Sequence, residues 1–187
     1  MQFRLKHFFL LIGLVLVITS FLFFARAQTV YISLLSAGFL ISLIFYIAIL
    51  VGKDTRKSKL IFTIIIVIAI IIQYFSEPFF IDSSYRIYLW QHEKELATVN
   101  NILKKKTGEV LISKNTVIDR DSILTTEEKQ ELQSSINKLN VYEISKSRTY
   151  IFFGIGGWLD IHLGLIYRTA SSKANEEYRH ITGNWYR

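Results

Sequence analysis

The 187-residue chain contains no cysteine and one proline. Without cysteine it has no disulfide framework, no thiolate zinc site and no thiol nucleophile. Charge is also missing from three long stretches. Phe8 to Ala25, Ala27 to Gly52 and Leu60 to Ser76 are free of Asp, Glu, Lys and Arg over 18, 26 and 17 residues. Each meets the roughly 17–25 apolar residues that a helix needs to cross a bilayer, the third only just. The same stretches lack histidine, so no intramembrane ionisable group marks a transport path or proton relay.

What is present is unevenly spread. The chain is 51% hydrophobic and 20% charged, with a mean hydropathy of +0.31, and the apolar residues crowd into the first 75 positions. In the third stretch, Ile64 to Ile68 and Ile70 to Ile72 are apolar on every face, whereas a helix lying on a soluble core keeps a polar stripe. Three such runs leave too little polar surface nearby to cover them. The expected architecture is a membrane protein with three N-terminal transmembrane helices, over about 8–25, 29–52 and 60–76. A small α+β domain over 77–187 follows, with two helices on an antiparallel sheet.

Orientation follows from Lys and Arg in the short flanks, because cytoplasmic loops retain positive charge. Arg4 and Lys6 precede the first run and Arg26 alone separates the first two. Lys53, Arg56, Lys57 and Lys59 lie between the second and third against the single Asp54. After the third, Glu77 and Asp82 come before the first base, Arg86. This predicts a multi-pass plasma (inner) membrane protein with its N-terminus cytoplasmic and its C-terminal domain extracytoplasmic. Residues 1–75 carry seven bases and one acid, or +6; the rest carry 15 bases and 14 acids, or +1. The basic excess is therefore a topology signal attracted to anionic lipid, and nucleic acid is not an expected partner.

The first run also carries signal-peptide features. A basic start, an apolar stretch and Ala25-Arg26-Ala27 form a pattern that a signal peptidase cuts. Its apolar length and the bulky Phe23 and Phe24 favour an uncleaved anchor. Cleavage after Ala27 would leave the C-terminal domain on the same side. In the second run, Ser33, Ser36, Gly38 and Ser42 put small residues along a helix, where close packing among the three spans is the expected use. Tyr31, Tyr46, Tyr74 and Phe75 fall near span ends, as interfacial aromatics do.

From Ile81 onward the hydrophobicity is that of a globular domain. Ile87, Trp90, Leu96, Val99, Ile102 and Leu103 recur at three- to four-residue spacing, predicting an amphipathic helix from about Asp82 to Lys104-Lys105-Lys106. Glu109 to Ile112 reads as a strand. Thr125, three residues ahead of Glu128, offers a capping box for a second helix to about Asn140. Strands are then expected over Val141–Ile144, Thr149–Phe153, Trp158–Tyr167 and Ile181–Tyr186, with Gly156-Gly157 as a turn or bulge.

Each candidate for chemistry has a plainer alternative. Asp119-Arg120-Asp121 has two carboxylates at a spacing that can hold a divalent ion, but on a polar loop it reads as turn chemistry. His92-Glu93 begins a zinc-protease pair, yet the position four beyond His92 is Leu96. His162 and His180 have no carboxylate cluster near them in sequence. Gly154-Ile155-Gly156-Gly157 would suit a phosphate only if a helix followed, and a strand pattern follows instead. No G-x-S-x-G occurs. The expectation is a protein that is not an enzyme and uses neither metal nor cofactor.

The remaining distinctive feature is the aromatic density of the last forty residues. At strand spacing these residues are expected in the core; if any form a partner-binding face, the choice is Trp158, Tyr167, Trp185 and Tyr186. The functional expectation is a protein whose outward domain binds a protein or envelope component, for example as an immunity or inhibitor protein. One alternative is an accessory subunit of a membrane or envelope complex assembled through the helices. Another is an interfacial lipid- or glycan-acting enzyme, with Asp119, Asp121 and His162 as its candidates. The expected partners are the lipid bilayer and a protein.

Overall fold

The computed structural model describes residues 5–25, 27–114, 116–119, 121–158, 161–169 and 178–187, apart from the side chains of 157, 158, 161 and 162. The chain forms two compact units, Met1–Ser84 and Tyr85–Arg187.

Three long apolar helices dominate the first unit. Helix α1 spans Leu5–Ser20 and tightens into a 3₁₀ turn over Phe21–Phe23. Helix α2 spans Gln28–Val51 and α3 spans Arg56–Gln91. All three are long and apolar enough to cross a membrane. They meet in a small cluster of Leu10, Ile49 and Phe62, flanked by Leu14, Phe45 and Ile65, and Phe9 stacks on Phe45 at 5.0 Å. Polar contacts also join the helices. Tyr46 Oη lies 3.1 Å from Thr63 Oγ1, and the Ala25 N–H donates to Ser84 Oγ at 2.8 Å. Where the charges of the α2–α3 turn meet α1, Lys6 pairs with Asp54 and donates to the Ala48 carbonyl at 3.3 Å. His7 stacks on Phe62 there, with ring centroids 4.2 Å apart.

Apart from these contacts the helices turn apolar side chains outward. Val67, Ile70 and Ile72 are 50%, 62% and 49% exposed. Phe39, Leu40 and Ile44 on α2 are likewise exposed. Water would not tolerate such a surface around a monomer, whereas hydrocarbon would.

The second unit begins inside α3, which runs unbroken past Ser76 and through Pro78 to Gln91. The expected single helix over 82–104 is therefore divided. His92, at φ −113° and ψ 22°, separates the end of α3 from α4, Glu93–Leu103. Helix α5, Thr126–Leu139, starts at the expected capping box. The Glu128 N–H donates to Thr125 Oγ1 at 3.2 Å and the Thr125 N–H to Glu128 Oε2 at 2.9 Å. It ends on Asn140 in the left-handed conformation.

The described strands are β1 Val110–Ser113, β2 Val117–Asp119, β3 Glu143–Lys146, β4 Tyr150–Trp158, β5 Ile161–Arg168, β6 His180–Thr182 and β7 Trp185–Tyr186. They form one antiparallel sheet in the order β2-β1-β3-β4-β5-β7-β6. Strand alternation turns Val110, Ile112, Ile144, Ile151, Phe153 and Leu165 to one face, where all are buried beneath the helices. Leu132, Ile136 and Leu139 of α5, with Leu96, Val99 and Leu103 of α4, complete that core.

Of the two readings of Gly156-Gly157, turn or bulge, the structure has the bulge: β4 runs through the pair and stays paired with β5, with the register shift between Gly154 and Gly156. Missing side chains let the strand bulge there without ending. The expected last strand is a tight hairpin, β6 and β7 folding back at Gly183, whose φ of +52° favours glycine.

Candidate functional site

A groove runs between α4 and the β5–β7 side of the sheet. Its helical wall follows from the periodicity of α4. Leu96, Val99 and Leu103 point to the core, while Glu93, Ala97, Asn100 and Lys104, at i, i+4, i+7 and i+11, form a stripe along the neighbouring edge. Its aromatic wall follows from register. Tyr167 of β5 pairs with Trp185 of β7, and cross-strand partners share a face. Their rings meet edge to face with centroids 5.0 Å apart, and Trp185 also lies 5.4 Å from buried Phe153. This packing holds Trp185 from behind and leaves part of it in the groove. The groove measures about 230 Å³.

Asn100 is its unusual member. The residue is only 7% exposed, yet its Oδ1 accepts no hydrogen bond among the described residues. Buried polar atoms nearly always have a partner, and leaving one without costs about 1–3 kcal/mol. Glu93 and Lys104 sit exposed at opposite ends of the stripe. The Asn100 amide oxygen is itself covered, so what the groove presents is an aromatic wall and opposite charges at its two ends. It can hold a ligand with apolar surface and charged groups. Among the described residues no group of three or more His, Cys, Asp or Glu is placed to hold a metal ion.

The four aromatic candidates do not form one patch. Tyr167 and Trp185 are brought together in the groove. Tyr186, the next residue along β7, turns to the opposite face, where Arg168 lies 4.1 Å over its ring and His180 packs at 5.1 Å. Trp158 ends β4, and its side chain lies outside the described residues, as does that of His162.

The carboxylates at 119 and 121 hold a turn. Asp119, with a side chain only 1% exposed, accepts N–H bonds from Ile123 and Leu124, both at 3.0 Å, and the Lys129 ammonium at 3.1 Å. Burial opposes its ionisation, but these donors together outweigh it and hold the carboxyl below its ordinary range. Asp121 accepts the Glu109 N–H at 3.3 Å. Arg120 lies outside the described residues. His92 occupies the N-cap position of α4 without a capping bond from its side chain, its ring 4.6 Å from that of Tyr88, and His180 Nε2 lies 2.9 Å from the Gly183 carbonyl.

No family model, curated protein or solved structure matches this chain. Sequence reasoning missed Asn100, although Leu96, Val99, Asn100 and Leu103 follow i, i+3, i+4, i+7, so an asparagine stands inside an apolar stripe. It also missed Lys146, buried on β3, whose ammonium donates to the Ser147 carbonyl at 2.6 Å and which burial pushes below the usual lysine range.

Proposed function

We propose that the chain is a plasma-membrane protein without enzymatic activity, whose C-terminal domain faces away from the cytoplasm and binds a partner through the α4–β5–β7 groove. The exposed apolar surface of α2 and α3 supports insertion, and the distribution of Lys and Arg supports the orientation. The observation that carries the binding role is the pairing of Tyr167 with Trp185 across β5 and β7, which sets two aromatic rings into the wall of a groove whose other side is α4.

The mechanism is positional. Three spans keep the domain at the bilayer, so a partner arriving at that surface meets it at high effective concentration and needs only modest intrinsic affinity. An immunity or inhibitor protein that intercepts an incoming protein would work in this way.

The test is a photo-crosslinking amino acid placed at Asn101, an exposed residue on the groove's rim. The whole protein is compared in cells with a version whose residues 1–75 are replaced by an unrelated three-span anchor. The same discrete crosslinked product from both supports recognition by the domain. A product that appears only with the native helices contradicts it and favours an accessory subunit recognised through its spans.

A further inference from the structure

We propose that the peptide bond after Ala27 is a latent processing site for a membrane-bound signal peptidase, held shut by the packing of α1 and opened only when α1 leaves the other two helices. This rests on the orientation proposed above, which puts the end of α1 outside the cytoplasm.

The recognition residues are present and covered. Small residues one and three positions before the bond are what such a peptidase reads, and Ala27 and Ala25 supply them. Proteases cut where the chain is exposed and can be drawn out, as at loop tips. Ala25 is instead only 3% exposed. Its N–H donates to Ser84 Oγ at 2.8 Å, and Ser84 is itself fully buried on α3. Phe21 and Phe24 pack on the Tyr31 ring of α2, with centroids 5.4 and 5.3 Å away, and close the same stretch from the other side.

The bond itself is also engaged. Its carbonyl, that of Ala27, accepts the Tyr31 N–H at 2.9 Å in the first turn of α2, and the Ala27 N–H donates to the Phe23 carbonyl at 2.9 Å. Hydrolysis adds one water across the bond, leaving a carboxylate on Ala27 and an amine on Gln28. To reach it, the peptidase needs Ala25 free of Ser84 and the Ala27 carbonyl free of Tyr31. Both follow from undocking α1.

Contacts far from the bond therefore set the rate of cutting. Where opening and closing are fast, that rate follows the open population, and α1 is held along its length by Lys6 on Asp54 and by Gly13 against Gly38. A chain that docks α1 keeps three spans. One that fails to dock it becomes a two-span form beginning at Gln28, with the C-terminal domain on the same side.

The experiment uses the full chain with a C-terminal tag in bacterial cells and reads the mass and N-terminal sequence of the protein extracted from the membrane. The parent is expected to keep its first 27 residues. Ser84→Leu removes the acceptor for the Ala25 N–H, and Gly38→Leu, on another helix, pushes α1 off α2. Each is expected to raise the fraction beginning at Gln28 about tenfold or more. Ala27→Leu, added to either, puts a bulky residue before the bond and should abolish that product. Every variant also carries Lys105→Cys, whose labelling in intact cells by a maleimide that cannot cross the membrane reads the orientation separately.

A parent that already begins at Gln28 overturns the masking. Variants that stay whole while position 105 is labelled overturn the latent site. A product that survives Ala27→Leu belongs to another protease and overturns it equally. Position 105 left unlabelled overturns the orientation, and the proposal with it.

Discussion

Gly13 on α1 and Gly38 on α2 pack backbone to backbone. A Cβ on Gly38 would come within 2.8 Å of the Gly13 carbonyl oxygen and 2.9 Å of the Val17 nitrogen. Both atoms belong to the helix backbone and have little room to give. Small residues let apolar helices approach this closely, and the contact gains dispersion energy along both. Gly38 is therefore committed inside the chain, whereas Ser33 and Ser36 on the same helix stay exposed.

Gly38→Leu should separate α1 from α2. Overpacking of this kind costs about 1–3 kcal/mol. Thermal unfolding of the full chain in detergent, followed by circular dichroism at 222 nm, should show a lower midpoint for the variant. An unchanged midpoint would mean that the two helices do not depend on this contact.

The capping box of α5 gives a prediction for the second unit. Thr125→Ala removes the acceptor for the Glu128 N–H and leaves one end of the box unpaired. The expected loss is about 1 kcal/mol of domain stability, read from the denaturant midpoint of tryptophan fluorescence. Thr125→Ser keeps the hydroxyl and should lie close to the parent.

Asp119 makes stability depend on acid. Its carboxyl is held below the ordinary value, so in the pH interval between the two the unfolded chain binds more protons than the folded one. The stabilisation is fully present above the unfolded carboxyl's ordinary value near 4 and is lost as pH falls through the lower folded value. Asp119→Asn should therefore be less stable than the parent at neutral pH, and the gap should close as the solution is acidified. Denaturant midpoints measured at neutral pH and at several values below pH 4 check this; a gap independent of pH would contradict it.

Tyr88 ties the end of α3 to α5 through a buried hydrogen bond from its hydroxyl to the Leu139 carbonyl at 2.7 Å. Tyr88→Phe leaves that carbonyl without this donor and should cost the domain about 1–2 kcal/mol. The denaturant midpoint of the full chain is again the readout, and no change would show that the carbonyl finds another donor.

Much of this structure was legible in the sequence because the responsible physics is local. The three apolar helices follow from uncharged length, and α5 follows from Thr125 and Glu128 three residues apart. Spacing alone does not decide where a local rule has two structural outcomes. Glycine permits a turn or a bulge, and at Gly156-Gly157 pairing with β5 continued the strand, which residue spacing cannot reveal. The break at His92 was hidden because the apolar positions keep nearly the same period on both sides of it. β2 was missed because Val117–Asp119 is three residues long and ends in the acidic pair that reads as a turn.

The candidate site was half legible. Aromatic density singled out Tyr167 and Trp185, but only the register Tyr167 to Trp185 shows that they are neighbours and that Tyr186 faces away. Asn100 escaped because a lone polar residue in an amphipathic helix is ordinarily solvated. Its burial depends on how α4 sits against the sheet, a tertiary fact that helical spacing does not contain.

The central claim is a groove-bearing domain displayed outside the cytoplasm by three membrane-spanning helices. The lack of native cysteine makes it directly measurable. Single cysteines at Lys57, in the turn-proximal start of α3, and at Lys105, just beyond α4, are exposed in intact cells to a maleimide that cannot cross the membrane. The account predicts that position 105 is labelled at once and position 57 only after the membrane is permeabilised. Labelling of position 57 alone in intact cells would invert the topology, and labelling of both would contradict passage of the third helix through the membrane.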